Sequence, residues 1–227
     1  MSLRLEMLQV ARVAPKALED ASDLVRDFLL SQQHPDGGFC DRDGESDLYY
    51  TVFGLNALAA FQVEPDMNAV EKFLLKFEEG EGLDLVHLSC LCRCWGTLGQ
   101  KRMPKGLRKV LLNRLEAFRK PCGGWDNNPE REHGTAYGSF LALGAYQDLG
   151  KLPPKPFRIL QSLKHLETPD HAWNNHPKLP VGSTNPTAGA VVLLNNLHLP
   201  INAEVGKWLK KQLHPQGGFV AVPGAPM

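Results

Sequence analysis

A chain of 227 residues with 43% hydrophobic and 22% charged side chains has material for a sizeable core, and its 25 basic and 25 acidic residues cancel, so no net field draws it to nucleic acid or anionic lipid. Neither sign is expected to dominate a long block, no apolar run approaches the ~18 residues of a membrane span, and the charges spaced through the first twenty residues are wrong for a signal peptide; the expected location is the cytoplasm. Five cysteines, three of them in the run Cys90-Leu91-Cys92-Arg93-Cys94, read as reduced thiols rather than a disulfide framework.

In chain order, residues 3 to 13 form an apolar helix. Prolines then recur at Pro15, Pro65, Pro104, Pro153 and Pro200, at intervals of 50, 39, 49 and 47 residues, each ahead of an apolar stretch with helical spacing. Proline is tolerated at or before a first helical turn, so these mark five helix starts in a repeat array. Glycine-aromatic turns follow four of the five helices, ending at Phe39, Trp125, Trp173 (a degenerate copy) and Phe219, while the second turn decays to Glu-Glu-Gly-Glu-Gly. The first and last turns, QQHPDGGF and QLHPQGGF, agree at six of eight positions. Paired glycines let the backbone reverse there, and the aromatic is expected to plug the groove between hairpins.

Each of the first four turns leads into a second helix that is apolar on more than one side and is expected to be buried, whereas the proline-headed helices carry a polar face for solvent. No strand pattern is read anywhere. The prediction is an all-α single domain over residues 1–227, a ring of about five helical hairpins with repeats near 15–63, 64–100, 104–150, 153–198 and 200–219. Residues 3–13 are expected to fill the missing inner place so that the ends meet.

The unit of proline-headed helix, Gln-x-x-x-x-Gly-Gly-aromatic turn, Asp-x-x-x-Thr and buried helix resembles the repeats of protein prenyltransferase β subunits and of the triterpene cyclases. The stretch GGFCDRDGESDLYYTVFGLNAL is most similar to a repeat of the geranylgeranyltransferase type II β subunit. The resemblance runs from residue 15 to 219. It implies an α/α toroid, one hairpin short of the family's six, whose inner helices surround an apolar funnel for an isoprenoid chain.

The resemblance also implies a zinc ion held by an Asp-x-Cys and by the histidine of an Asp-x-x-His. Asp47 falls on the aspartate, Tyr49 on the cysteine, and Asp84 and His87 on Asp-x-x-His. Asp47 and His87 thus match two of three ligand positions and would be the catalytic pair, lowering the pKa of an acceptor thiol through zinc; tyrosine, with a pKa near 10, replaces the thiolate poorly. Arg42 takes the place of the diphosphate-binding arginine, but Glu45 and Ser46 stand where a lysine is expected, and Asp41, Asp43 and Glu45 oppose an anion. Neither Asp-x-Asp-Asp nor Asp-Asp-x-x-Asp occurs in the chain, so cyclase chemistry is unsupported.

Plainer roles stand beside these. Asp47, like Ser183 in the fourth repeat, suits a helix N-cap; Asp84 and His87 suit a structural pair; Cys90 and Cys94 read as small buried residues. Tyr49, Tyr50, Trp95, Trp125, Tyr137 and Trp173 are candidates to line a funnel, although plugging accounts equally for Trp125 and Trp173. Tyr50 and His133 are placed at its mouth. The expected binding set is therefore Arg42, Tyr49, Tyr50, Asp84, Trp95, His133 and Tyr137. The expected partners are an isoprenoid or prenyl diphosphate, with a protein acceptor, an α-type subunit or a homodimer beside it. A second reading is a catalytically inactive toroid that binds a lipid or a protein.

Overall fold

The computed structural model describes residues 2–224 and is all-α apart from one strand pair. The helices are α1 (Leu3–Ala11), α2 (Ala14–Leu18), α3 (Ala21–Ser31), α4 (Leu48–Ala60), α5 (Met67–Leu75), α6 (Leu85–Leu98), α7 (Leu107–Ala117), α8 (Ala136–Asp148), α9 (Phe157–Leu166), α10 (Thr184–Asn196) and α11 (Ala203–Lys211). Two compact units result, residues 1–115 with 144–151, and residues 116–143 with 152–227.

Four of the five prolines stand just ahead of helices α5, α7, α9 and α11, as their spacing predicts. The first behaves differently. Pro15 heads only the short α2, and the chain breaks at Glu19, whose φ of 46° no helix accommodates, before α3 begins. The expectation of no strand is also corrected. Phe39–Cys40 (β1) pairs antiparallel with Ser46–Asp47 (β2), because the backbone leaving the turn needs partners until α4 takes over.

One hydrogen bond recurs at the turns and explains why the sequence places a hydroxyl in the following helix. The amide of the turn aromatic donates to that hydroxyl: Phe39 to Thr51 Oγ1 at 2.9 Å, Trp125 to Ser139 Oγ at 3.2 Å, and Trp173 to Thr187 Oγ1 at 3.0 Å. The three aromatics keep 2%, 0% and 6% of their surface, so each is a plug between its turn and its helix. Phe39 sits so close to α4 that a Cβ on Gly54 would lie 2.3 Å from its ring. In the second unit the Arg119 guanidinium stacks on Trp125 with 4.4 Å to the ring centroid.

The first unit has a buried ionic centre. Asp148, whose side chain is 1% exposed, receives Arg4 of α1 at 3.2 Å and Arg93 of α6 at 3.4 Å. Burial pushes its carboxyl upward, and the two arginines pull against that rise without cancelling it. The Leu3 amide donates a hydrogen bond to Gln147 Oε1 at 2.9 Å, so α1 is fastened to the end of α8 by its first turn. Gly96 lets α6 come against the same segment; a Cβ there would be 2.5 Å from the Asp148 carbonyl oxygen.

Candidate functional site

The site grows from two helix starts. Asp47 is the N-cap of α4, and its Oδ1 accepts the amides of Tyr49 at 2.7 Å and Tyr50 at 3.1 Å. Asp84 is the N-cap of α6, accepting the His87 amide at 2.8 Å and also facing His87 Nδ1 at 2.8 Å. Burial pushes the Asp84 carboxyl up, but the bonds from the His87 amide and ring outweigh it and hold the carboxyl below its ordinary value. With Nδ1 occupied, His87 turns Nε2 toward Asp47 Oδ2, 3.6 Å away. Two residues forty positions apart in the chain are therefore brought together, and the capping and pairing roles coexist with that meeting.

The third family position holds Tyr49. Its ring packs edge-on against Tyr50 and Phe53, with centroids 5.9 and 4.8 Å apart, and points no thiolate at the pair. Cys90, near enough to feel Asp47 and Asp84, is pushed up to about 12 by burial, so it stays a thiol. Among the described residues no group of three or more His, Cys, Asp or Glu side chains is arranged to hold a metal ion. Zinc takes about four donors. Asp47 and His87 supply two, one of them already half committed to capping, so the donor set falls short of a zinc centre.

A cavity of about 480 Å³ lies between α3, β1 and α4, lined by Phe28, Leu29, Phe39, Phe53 and Ala57 together with Gln32, Cys40, Asp41, Arg42 and Tyr50; Tyr50, whose amide Asp47 caps, belongs to it, whereas Asp47, Asp84 and His87 do not line it. That is the size and lining of a small-molecule site, largely apolar with a few polar groups. Arg42 is exposed and makes no ion pair among the described residues. Asp41 is turned to its own loop, where Oδ1 accepts the Asp43 and Glu45 amides at 2.8 and 3.0 Å.

Trp95 does not line the cavity. It is completely buried in α6, and the expectation that it touches a ligand is corrected. Ser183 is corrected too: it occupies the N-cap position of α10 without a side-chain cap bond, and the third helical residue, Pro186, has no amide to donate to it. His133 and Tyr137 belong to the second unit, His133 half-buried with Nδ1 3.2 Å from the Gly134 carbonyl, Tyr137 46% exposed in the first turn of α8. Phe28 and Phe53 are cavity residues the sequence reading passed over. For Phe53 a signal existed, since it follows Tyr49 and Tyr50 at four and three residues on the same helix.

Nor is charge evenly spread, against expectation. Residues 14–84 hold 16 acidic and 5 basic side chains, and residues 85–227 hold 8 acidic and 18 basic ones. Equal totals concealed the segregation.

Residues 5–75 match the family model described as the prenyltransferase alpha-alpha toroid domain, less than a third of the chain. The matched segment runs from within α1 to the end of α5 and so includes Arg42, Asp47, Tyr49, Tyr50 and the cavity wall. No curated protein matches the chain. No described helix is long and apolar enough to cross a membrane.

Proposed function

We propose that this chain is an isoprenoid-handling protein of the prenyltransferase type, in which the apolar cavity between α3 and α4 takes a prenyl chain and its polar end, with Arg42 and Tyr50, meets the diphosphate or an acceptor. The observation that carries this reading is the coincidence of that cavity with the segment matching the prenyltransferase toroid model. Phe28 and Phe53, 59% and 51% exposed, would be covered by such a chain, a gain of about 1.5–3 kcal/mol for each ring fully buried. Asp47, His87 and Asp84 stand at the starts of α4 and α6, where an acceptor would approach; as a catalyst the protein would be a transferase.

A direct test is titration with farnesyl and geranylgeranyl diphosphate, followed by calorimetry, beside the variant Phe53→Glu. Saturable binding weakened at least tenfold by the variant, about 1.4 kcal/mol, supports the reading; absence of binding to the wild-type protein ends it. Tyr49 at the thiolate position favours the second reading, a toroid without transferase activity that binds a lipid or protein. That reading predicts prenyl or partner binding with no transfer to any thiol acceptor.

A further inference from the structure

The cavity between α3, β1 and α4 combines two kinds of lining that favour one kind of ligand. Phe28, Phe53 and Tyr50 open onto it, 59%, 51% and 36% exposed. Tyr50 and Phe53 continue into an edge-on cluster through Tyr49, whose ring centroid lies 5.9 Å from the first and 4.8 Å from the second. An apolar chain covers such rings, and their faces, which carry partial negative charge, also attract a cation.

The polar part of the lining has the same preference. The loop from Asp41 to Glu45 closes on itself: the Asp41 amide donates to the Glu45 carbonyl at 2.8 Å and the Gly44 amide to the Asp41 carbonyl at 3.3 Å, with Cys40 and Ser46 paired at its base. Asp41 lines the cavity, and its Oδ1 gathers the amides of Asp43 and Glu45, so both of those residues stand beside it. Asp47 is one bond from the lining, through the Tyr50 amide. Four carboxylates therefore lie on or near this rim against one guanidinium, that of Arg42. Among the described residues Asp41, Asp43 and Glu45 make no ion pair, and Asp47 faces only His87 at 3.6 Å.

We infer that the ligand of this cavity is a cationic amphiphile, an isoprenoid chain ending in an amine or quaternary ammonium, with the chain on Phe28 and Phe53 and the head at Tyr50 and the acidic loop. The inference rests on the proposal that the cavity takes a prenyl chain, and it specifies the head group that comes with that chain. A diphosphate brings several negative charges to a rim where Arg42 alone favours it, whereas an ammonium meets aromatic faces and carboxylates together.

Three probes that share one chain separate head from tail: farnesylamine, farnesol and farnesyl diphosphate, titrated by calorimetry below their aggregation concentrations at low and at high salt. The expected order of affinity is amine, alcohol, diphosphate, with about tenfold or more between first and last at low salt and a smaller gap at high salt, where exposed charges are screened. Farnesol should displace the amine competitively. The variant with Asp43→Asn and Glu45→Gln should narrow the gap between amine and diphosphate and leave farnesol unchanged; both side chains are exposed, and circular dichroism checks that the variant folds. Farnesol binding beside a diphosphate that binds as tightly as the amine overturns the inference and leaves the prenyl-chain reading standing. An amine that farnesol does not displace, or a gap indifferent to salt and to both substitutions, overturns it as well. No binding of any of the three probes overturns the inference and the prenyl-chain reading together.

Discussion

His87 Nε2 stands 3.6 Å from Asp47 Oδ2, with the other ring nitrogen held by Asp84 at 2.8 Å. A carboxylate that fixes one ring nitrogen and leaves the other free is how a metal-binding histidine is oriented, but the free side here faces one carboxylate and no thiolate. Metal analysis of the protein purified in the presence of zinc should therefore find well under one zinc per chain. Tyr49→Cys supplies the missing donor and should raise zinc affinity by at least tenfold, an effect that His87→Ala in the same background removes. One tightly held zinc per wild-type chain, lost on Asp47→Ala or His87→Ala, would show that two protein donors and water suffice.

Acid should weaken the first turn through Asp36. Burial pushes this carboxyl up, but bonds from Lys76, Ser46, the Gly38 amide and His34 prevail and hold it well below the usual carboxylate range. A carboxyl depressed in the folded state contributes stability above its unfolded pKa, near 3.9, and loses it as pH falls toward the folded value. Asp36→Asn should cost about 1.5–3 kcal/mol at pH 7. The deficit in urea midpoint should narrow when both proteins are compared at pH 3; an unchanged deficit would mean that the geometry of the turn matters more than its charge.

Much of this architecture was legible because it is local. Pro65, Pro104, Pro153 and Pro200 announce helices, and Thr51 is visible from its spacing after Asp47 because one hydroxyl must meet one amide. Pro15 misled because nothing in its spacing reveals that Glu19 takes a left-handed φ and breaks the helix. Trp95 misled for a different reason: buried residues spread over more than one side of α6, so periodicity cannot say which side faces a cavity and which the core. Asp47 and His87 could be paired only through the repeat register, and their residual gap is a tertiary quantity that no spacing encodes.

The buried Asp148 should not tolerate the loss of either arginine. Arg93→Met leaves a carboxylate that is 1% exposed with Arg4 alone, and breaking a buried pair of this kind costs about 3–5 kcal/mol. The pH dependence runs opposite to that of Asp36. A carboxyl whose folded value is raised favours the folded state below its unfolded pKa and opposes it as pH rises through the folded value. Removing Arg93 raises it further, so the deficit should be widest at pH 7 and close toward pH 4. Thermal or urea unfolding at both values decides the matter, and a deficit that widens on acidification would place the lost energy in packing of the arginine stem.

The turn glycines separate two costs that alanine scanning usually mixes. Gly37, Gly123 and Gly217 share a left-handed φ of 101°, 103° and 97°, a conformation that penalises any side chain by about 1–2 kcal/mol. At Gly37 the added Cβ would also meet the Ala69 backbone at 1.9 Å, and at Gly123 the Arg158 Cβ at 2.4 Å, whereas at Gly217 it meets nothing. Alanine at either of the first two should cost several kcal/mol and at Gly217 only the backbone share, when unfolding is followed on dilute monomer. Gly206 lies exposed inside α11 with no neighbour for a Cβ, so Gly206→Ala should stabilise by about 0.5–1 kcal/mol. Equal losses at Gly37 and Gly217 would show that backbone conformation alone governs these turns. The difference between them would then no longer measure the docking of a turn on the next helix.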